Sequence, residues 1–179
     1  MNNTIRIALL TIALSLISAC TVETRTGENI LRISFTPSYD EHSDWAANTL
    51  MIFNYHHMPN YSQSDIINYY DYHYGYDDVS INEISWLLWD LAGIDSHVTG
   101  TLSLREIRSQ INFGQPILLF YGNDYGGRYL LLHGYDDNGY VYLHEPGFGT
   151  RVVHHNSLFS LRINNRAYYW TASLLIDDQ

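Results

Sequence analysis

Hydrophobic residues along this chain follow three rhythms in succession. The first is an uncharged apolar run over residues 7–17. The second is helical. Residues 43–55 are apolar on most sides, which marks a helix buried all round, with Ser43 or Asp44 placed to cap it. Residues 61–76 place Ile66, Ile67 and Tyr70 on one side behind Ser62 or Ser64. Ser80 with Glu83, and Ser103 with Glu106, have the spacing of capping boxes ahead of apolar stripes. Gly93 and Gly114 close those two helices. The third rhythm belongs to strands. Residues 30–35 alternate weakly, and residues 115–121 form a short apolar run. Residues 129–133 and 140–143 flank Asp136-Asp137-Asn138-Gly139, whose last two residues tolerate the positive φ of a hairpin turn. Residues 152–155 and 168–176 read as further strands, with a short helix at 157–162 between them. Helices first and an antiparallel sheet second is the pattern of an α+β domain.

Composition narrows the class. The chain has 179 residues, 46% hydrophobic and 16% charged, enough for one domain with a real core. The formal net charge of -10 argues against nucleic-acid binding, and the basic residues are all arginine. The 16 tyrosines suit a recognition surface, since a tyrosine ring stacks and hydrogen-bonds at low entropic cost. Those of segment 61–76 are too dense for all to be buried. Tyr69, Tyr70, Tyr72, Tyr74 and Tyr76, with Trp45, are the candidate binding residues.

The apolar run follows Arg6 and is of signal-peptide length. Ile17-Ser18-Ala19-Cys20 resembles a bacterial lipobox. The resemblance implies cleavage before Cys20, acylation of its thiol and amino group, and a membrane anchor. Thr21 at the next position implies, by the same resemblance, the outer membrane, periplasmic face. The expected organisation is a lipoprotein signal peptide over 1–19, a tether over 20–29 and a folded domain over 30–179. Loss of Arg6 takes the formal charge from -10 to -11. Cys20 is the only cysteine, so no internal disulfide can form and no thiol remains for chemistry elsewhere.

Several short stretches resemble the papain-like cysteine peptidases that trim double-glycine leaders in bacteriocin exporters. That family opens its central helix on a cysteine, often as Cys-Trp-Ala-Ala; this chain has Asp44-Trp45-Ala46-Ala47. Ile111-Asn112-Phe113-Gly114-Gln115-Pro116 matches the family's I-x-x-G-x-P. Gly127-Arg128, ahead of Gly134-Tyr135-Asp136, stands where the family has its Gly-His pair. Glu145-Pro146 stands where an aspartate or asparagine precedes proline. The resemblance implies a papain-like fold with a central N-terminal helix packed on an antiparallel sheet. It also places Asp44, Arg128 and Glu145 at the nucleophile, base and orienting positions.

The chemistry does not carry over. Thiolate attack depends on a cysteine pKa lowered by a helix N-terminus and an imidazolium. Aspartate is a poor nucleophile toward a peptide, and arginine, always protonated, cannot act as a base. The glutamine that the family places before the helix is also missing from residues 38–43. His133 and His144 alternate to the opposite face from Arg128 and Glu145, so neither is expected to compensate. One charge-based expectation is that Arg128 bridges both Asp44 and Glu145. The other is that unrelated residues filled the abandoned positions.

The nine histidines show no metal-binding spacing, and neither a G-x-S-x-G elbow nor a phosphate loop is present. No cofactor and no metal are expected. The expected function is a catalytically inactive peptidase-like lipoprotein that binds a protein or peptide partner at the cell envelope. The alternatives are a hydrolase or amide transferase with a non-standard site, and a structural subunit of an envelope or secretion assembly.

Overall fold

The computed structural model describes residues 27–177, apart from positions 41, 59, 76, 77 and 125. Cys20, the expected signal peptide over 1–19 and Tyr76 lie outside the described residues.

Helix α1, Asp44–Tyr55, buries Trp45, Ala46, Ala47, Leu50, Met51, Ile52 and Phe53. Among its buried polar residues, Thr49 donates to the Trp45 carbonyl and the Asn48 Nδ2 to that of Asp44. Helices α2 (Gln63–His73), α3 (Ile81–Ala92) and α4 (Leu104–Asn112) each open on a reciprocal capping box, made by Ser62 with Asp65, Ser80 with Glu83 and Ser103 with Glu106. Each box satisfies N–H groups that the first turn leaves without partners. Gly93 stops α3 at φ 64°, a left-handed conformation that costs glycine little.

Among the described residues eight strands form one antiparallel sheet: β1 (Glu28–Ile30), β2 (Ser96–Thr99), β3 (Ile117–Asn123), β4 (Gly126–Asp136), β5 (Tyr140–Glu145), β6 (Gly149–His154), β7 (Ser160–Ile163) and β8 (Arg166–Ile176). The main order is β2-β8-β3-β4-β5-β6, with β1 added to β4 and β7 to β8. Helix α1 packs against β4 and also contacts α2 and α3. One continuous core joins these helices to the sheet.

Four expectations need correction. The helix over 157–162 is a 3-10 turn, His155–Ser157, followed by β7. In β7 Leu161 and Ile163 are buried while Ser160 and Arg162 are exposed, a period of two rather than 3.6. Asn164 and Asn165, at φ 49° and 62°, then turn the chain into β8 as a two-residue hairpin. Strand β2 was not foreseen; it is short and polar. The strand expected over 30–35 ends at Ile30. Beyond it the chain runs on as an extended strap whose carbonyls are taken by imidazoles: His133 Nδ1 donates to Leu31 O at 3.3 Å and His144 Nε2 to Ile33 O at 3.0 Å. Finally, Glu28 and Asn29, expected in the tether, pair with Asp136 and Tyr135, so ordered structure begins before residue 30.

Candidate functional site

The site is built where α1 meets β4. Strand β3 pairs along β4 from Gly126 to Leu132, but β5 joins the opposite edge only over Leu131–Tyr135. At Tyr129 that edge has no strand neighbour, and a buried, unpaired main-chain amide is costly. Side chains of α1 take the strand's place. Asp44 Oδ2 accepts the Tyr129 N–H at 3.0 Å, and Asn48 Nδ2 donates to the Tyr129 carbonyl at 2.8 Å. The first turn of α1 is thereby pinned beside the end of β4.

Arg128 precedes Tyr129 and points to the other side of the strand. Its Nη1 lies 3.9 Å from Asp44 Oδ2, a loose ion pair. Glu145, the last residue of β5, shares this side and is bridged tightly by Arg151 of β6, at 2.6 Å. The expectation that Arg128 bridges both carboxylates is therefore met on the Asp44 side. On the Glu145 side the close partner is Arg151, whose shorter contact fixes the carboxylate. The β5–β6 hairpin explains this: Glu145 pairs with Gly149, and Arg151 sits diagonally across from it, within reach of a long side chain.

Asp44, Arg128 and Glu145, distant in sequence, line one cleft of about 280 Å³. Ser38 and Asp40 edge it from the strap side, Phe148 stands 62% exposed at the rim, and Ile163 and Asn164 close it from the β7–β8 turn. A shallower groove continues past Glu145 along Thr150, Arg151 and Arg162. Burial drives the cleft's electrostatics. It pushes the Asp44 carboxyl up to about 6, against the opposing pulls of the Tyr129 N–H and the Arg128 charge. Burial also raises Glu145, against Arg151. Arg151, Phe148, Asn164 and Asn48 were not singled out from sequence. Arg151 alone carried a usable signal, a basic residue placed diagonally across the β5–β6 hairpin from Glu145.

His133 and His144 do not line the cleft. Their rings stack on each other at 4.0 Å, beneath the strap. Burial and the neighbouring imidazole lower His133 to about 4, and burial lowers His144. Among the described residues no three His, Cys, Asp or Glu come together as a metal site.

The aromatic candidates divide. Trp45 and Tyr70 are core residues, 7% and 1% exposed, packed ring against ring at 5.1 Å. As placed they are not surface residues: α1 is buried on every side, and Tyr70 lies on the inward face of α2. Tyr69 is half-buried against His73. Tyr74 is half-buried and donates its hydroxyl to Asp90. Tyr72 alone of the described set is open, at 84%.

Among solved structures, the chain is similar to a double-glycine-motif protease from an AMS/PCAT transporter, solved in complex with the leader peptide. The TM-score is 0.60 at 11% identity, covering 86% of this chain and 94% of that one. It is also similar to a C39-like peptidase from Bacillus anthracis, with a TM-score of 0.57 at 12% identity over 84% and 98% of the two chains. The fold is papain-like. UfSP from C. elegans resembles this papain-like domain less closely, with a TM-score of 0.51 at 11% identity, over 92% of this chain and 37% of that one. No protein-family model and no curated protein matches the sequence.

Proposed function

We propose that the protein is a catalytically inert papain-like lipoprotein that holds a peptide or protein partner in the Asp44–Arg128–Glu145 cleft at the bacterial cell envelope. The observation that carries this reading is the convergence of those three side chains in one cleft that, among the described residues, has no thiol and no imidazole on its lining. The chain's one cysteine is Cys20, which the lipobox assigns to acylation. Arg128, always protonated, cannot take the part of a base toward a nucleophile. The structural neighbour from an AMS/PCAT transporter was solved with a peptide bound, which supports a peptide as the occupant here. A mixed lining of carboxylates, arginine and the Phe148 ring suits a chain with both polar main chain and apolar side chains.

The deciding experiment is a peptide-display selection on the mature domain, followed by mass spectrometry of the bound peptides after long incubation. Intact peptides whose binding is weakened by Phe148→Ala support the reading. Cleaved or transferred products, or no selected peptide, reject it. One observation favours a second reading, a hydrolase with Asp44 as general acid: a carboxyl titrating near 6 is suited to proton transfer at neutral pH. An activity screen with and without a chelator, repeated on Asp44→Asn, separates the two. Turnover abolished by that substitution establishes the enzyme.

A further inference from the structure

Helix α3 presents an unusual outer face. Ile81, Ile84, Leu87 and Leu88 point into the core, as its apolar stripe requires. Trp86 and Trp89 stand one turn apart on the opposite side, 56% and 60% exposed. Large rings left in water need a reason, since neighbouring exposed aromatics mark interaction surfaces. They flank a second groove, of about 410 Å³, away from the cleft residues. The Tyr74 ring lies nearly parallel to that of Trp86, at 28° and 6.3 Å between centroids, and extends the aromatic wall. Ser85 and Ser96 hydrogen-bond to each other at 2.8 Å at the base, tying α3 to β2.

The charges around this wall have one sign. Asp90 and Asp95 line the groove, and no arginine or histidine does so among the described residues. Tyr74 donates its hydroxyl to Asp90, which orients that carboxylate beside the rings. Aromatic faces with carboxylates beside them attract a cation that carries an apolar stem. The guanidinium or ammonium gains ring-quadrupole and Coulomb attraction, and the methylenes cover the indoles. An anionic lipid surface or nucleic acid would be repelled.

We propose that the Trp86–Trp89 groove binds an arginine- or lysine-bearing segment of a partner protein, separately from whatever occupies the cleft. The complementarity is local, in the two carboxylates and three rings. It is reinforced by a chain of net charge -10.

The test uses the full chain and two short capped peptides, Gly-Arg-Gly and its citrulline isostere, which keeps the shape and removes the charge. The chain has four tryptophans, so indole N–H resonances report location directly. The expected result is that the arginine peptide shifts the Trp86 and Trp89 signals, leaves Trp45 and Trp170 in place, and outbinds the citrulline peptide. Trp86→Ala, Trp89→Ala and Asp90→Asn should each weaken binding by about three- to thirtyfold, the range of a desolvated cation–π contact. Both indoles are largely exposed, so the alanine variants should keep the parent melting temperature. Binding of the arginine peptide that survives both tryptophan substitutions would reduce the effect to diffuse attraction by a negative protein, and the proposal fails. It fails equally if neither peptide binds, or if a neutral chitooligosaccharide shifts the two indoles and the arginine peptide does not.

Discussion

The Asp44 carboxylate is held by the Tyr129 N–H yet raised by burial to about 6 from a usual 3.8. A carboxyl raised on folding stabilises most below 3.8, and that contribution is lost as pH climbs through 6. The ionised form at neutral pH therefore costs about 3 kcal/mol relative to the protonated one. His133 slopes the other way. Its imidazole falls from 6.5 to about 4, and its Nε2 is buried with no acceptor to greet a proton. Its contribution is whole above 6.5 and is lost as pH falls toward 4, again by about 3 kcal/mol. Between 4 and 6 the two offset each other. Asp44→Asn keeps an oxygen for the Tyr129 N–H and removes the buried charge. It is expected to stabilise the domain by about 1–3 kcal/mol at pH 7.5 and to expose the histidine loss on acidification. Urea unfolding at pH 7.5, 6 and 4.5 checks this; identical profiles for parent and variant would refute it. Asn48→Ala instead strands the Tyr129 carbonyl, and should cost about 1–3 kcal/mol in the same assay.

At the scale of elements, what was legible depended on whether the signal was local. Capping boxes span four residues, and Ser80 and Ser103 could be recognised as helix starts without any knowledge of packing. The hairpin between β4 and β5 announced itself through Asn138-Gly139, with Gly139 at φ 84°. The segment after β6 misled because Leu158 and Leu161 are three apart, a helical spacing. The decisive residues were the two asparagines beyond it. That turn is testable. Asn165→Val puts a β-branched side chain at φ 62° and should cost about 1–2 kcal/mol. Asn165→Gly should be neutral or stabilising by up to about 1 kcal/mol. Thermal unfolding of the two variants should bracket the parent, with the valine form several degrees lower. The strap of residues 31–38 was hidden for a different reason: its partners are the side chains of His133 and His144, about a hundred positions away, and no local pattern encodes them.

For the molecule as a whole, the papain-like architecture and the meeting of Asp44, Arg128 and Glu145 could be anticipated because helix order and three short motifs fix them together. Which aromatics face solvent could not be read in the same way. Trp45 and Trp86 both sit in apolar helical runs, and only the assembled layers decide that one is buried and the other open. The charge inventory supports a prediction at this largest scale. Nine basic residues, none of them lysine, leave the chain with no side-chain amine. With no lysine, the precursor's primary amine is its α-amino group. The proposed maturation removes it and acylates the new amino group of Cys20, so the finished lipoprotein should carry none. An amine-reactive fluorophore should thus label the denatured cytoplasmic precursor once and the envelope-extracted protein not at all, while a Cys20→Ser variant keeps its reactive terminus. One label on the envelope form, with two acyl chains by mass, would mean that acylation stops at the thiol. One label with no added lipid mass would rule out the anchor and, with it, the membrane placement of both proposed binding surfaces.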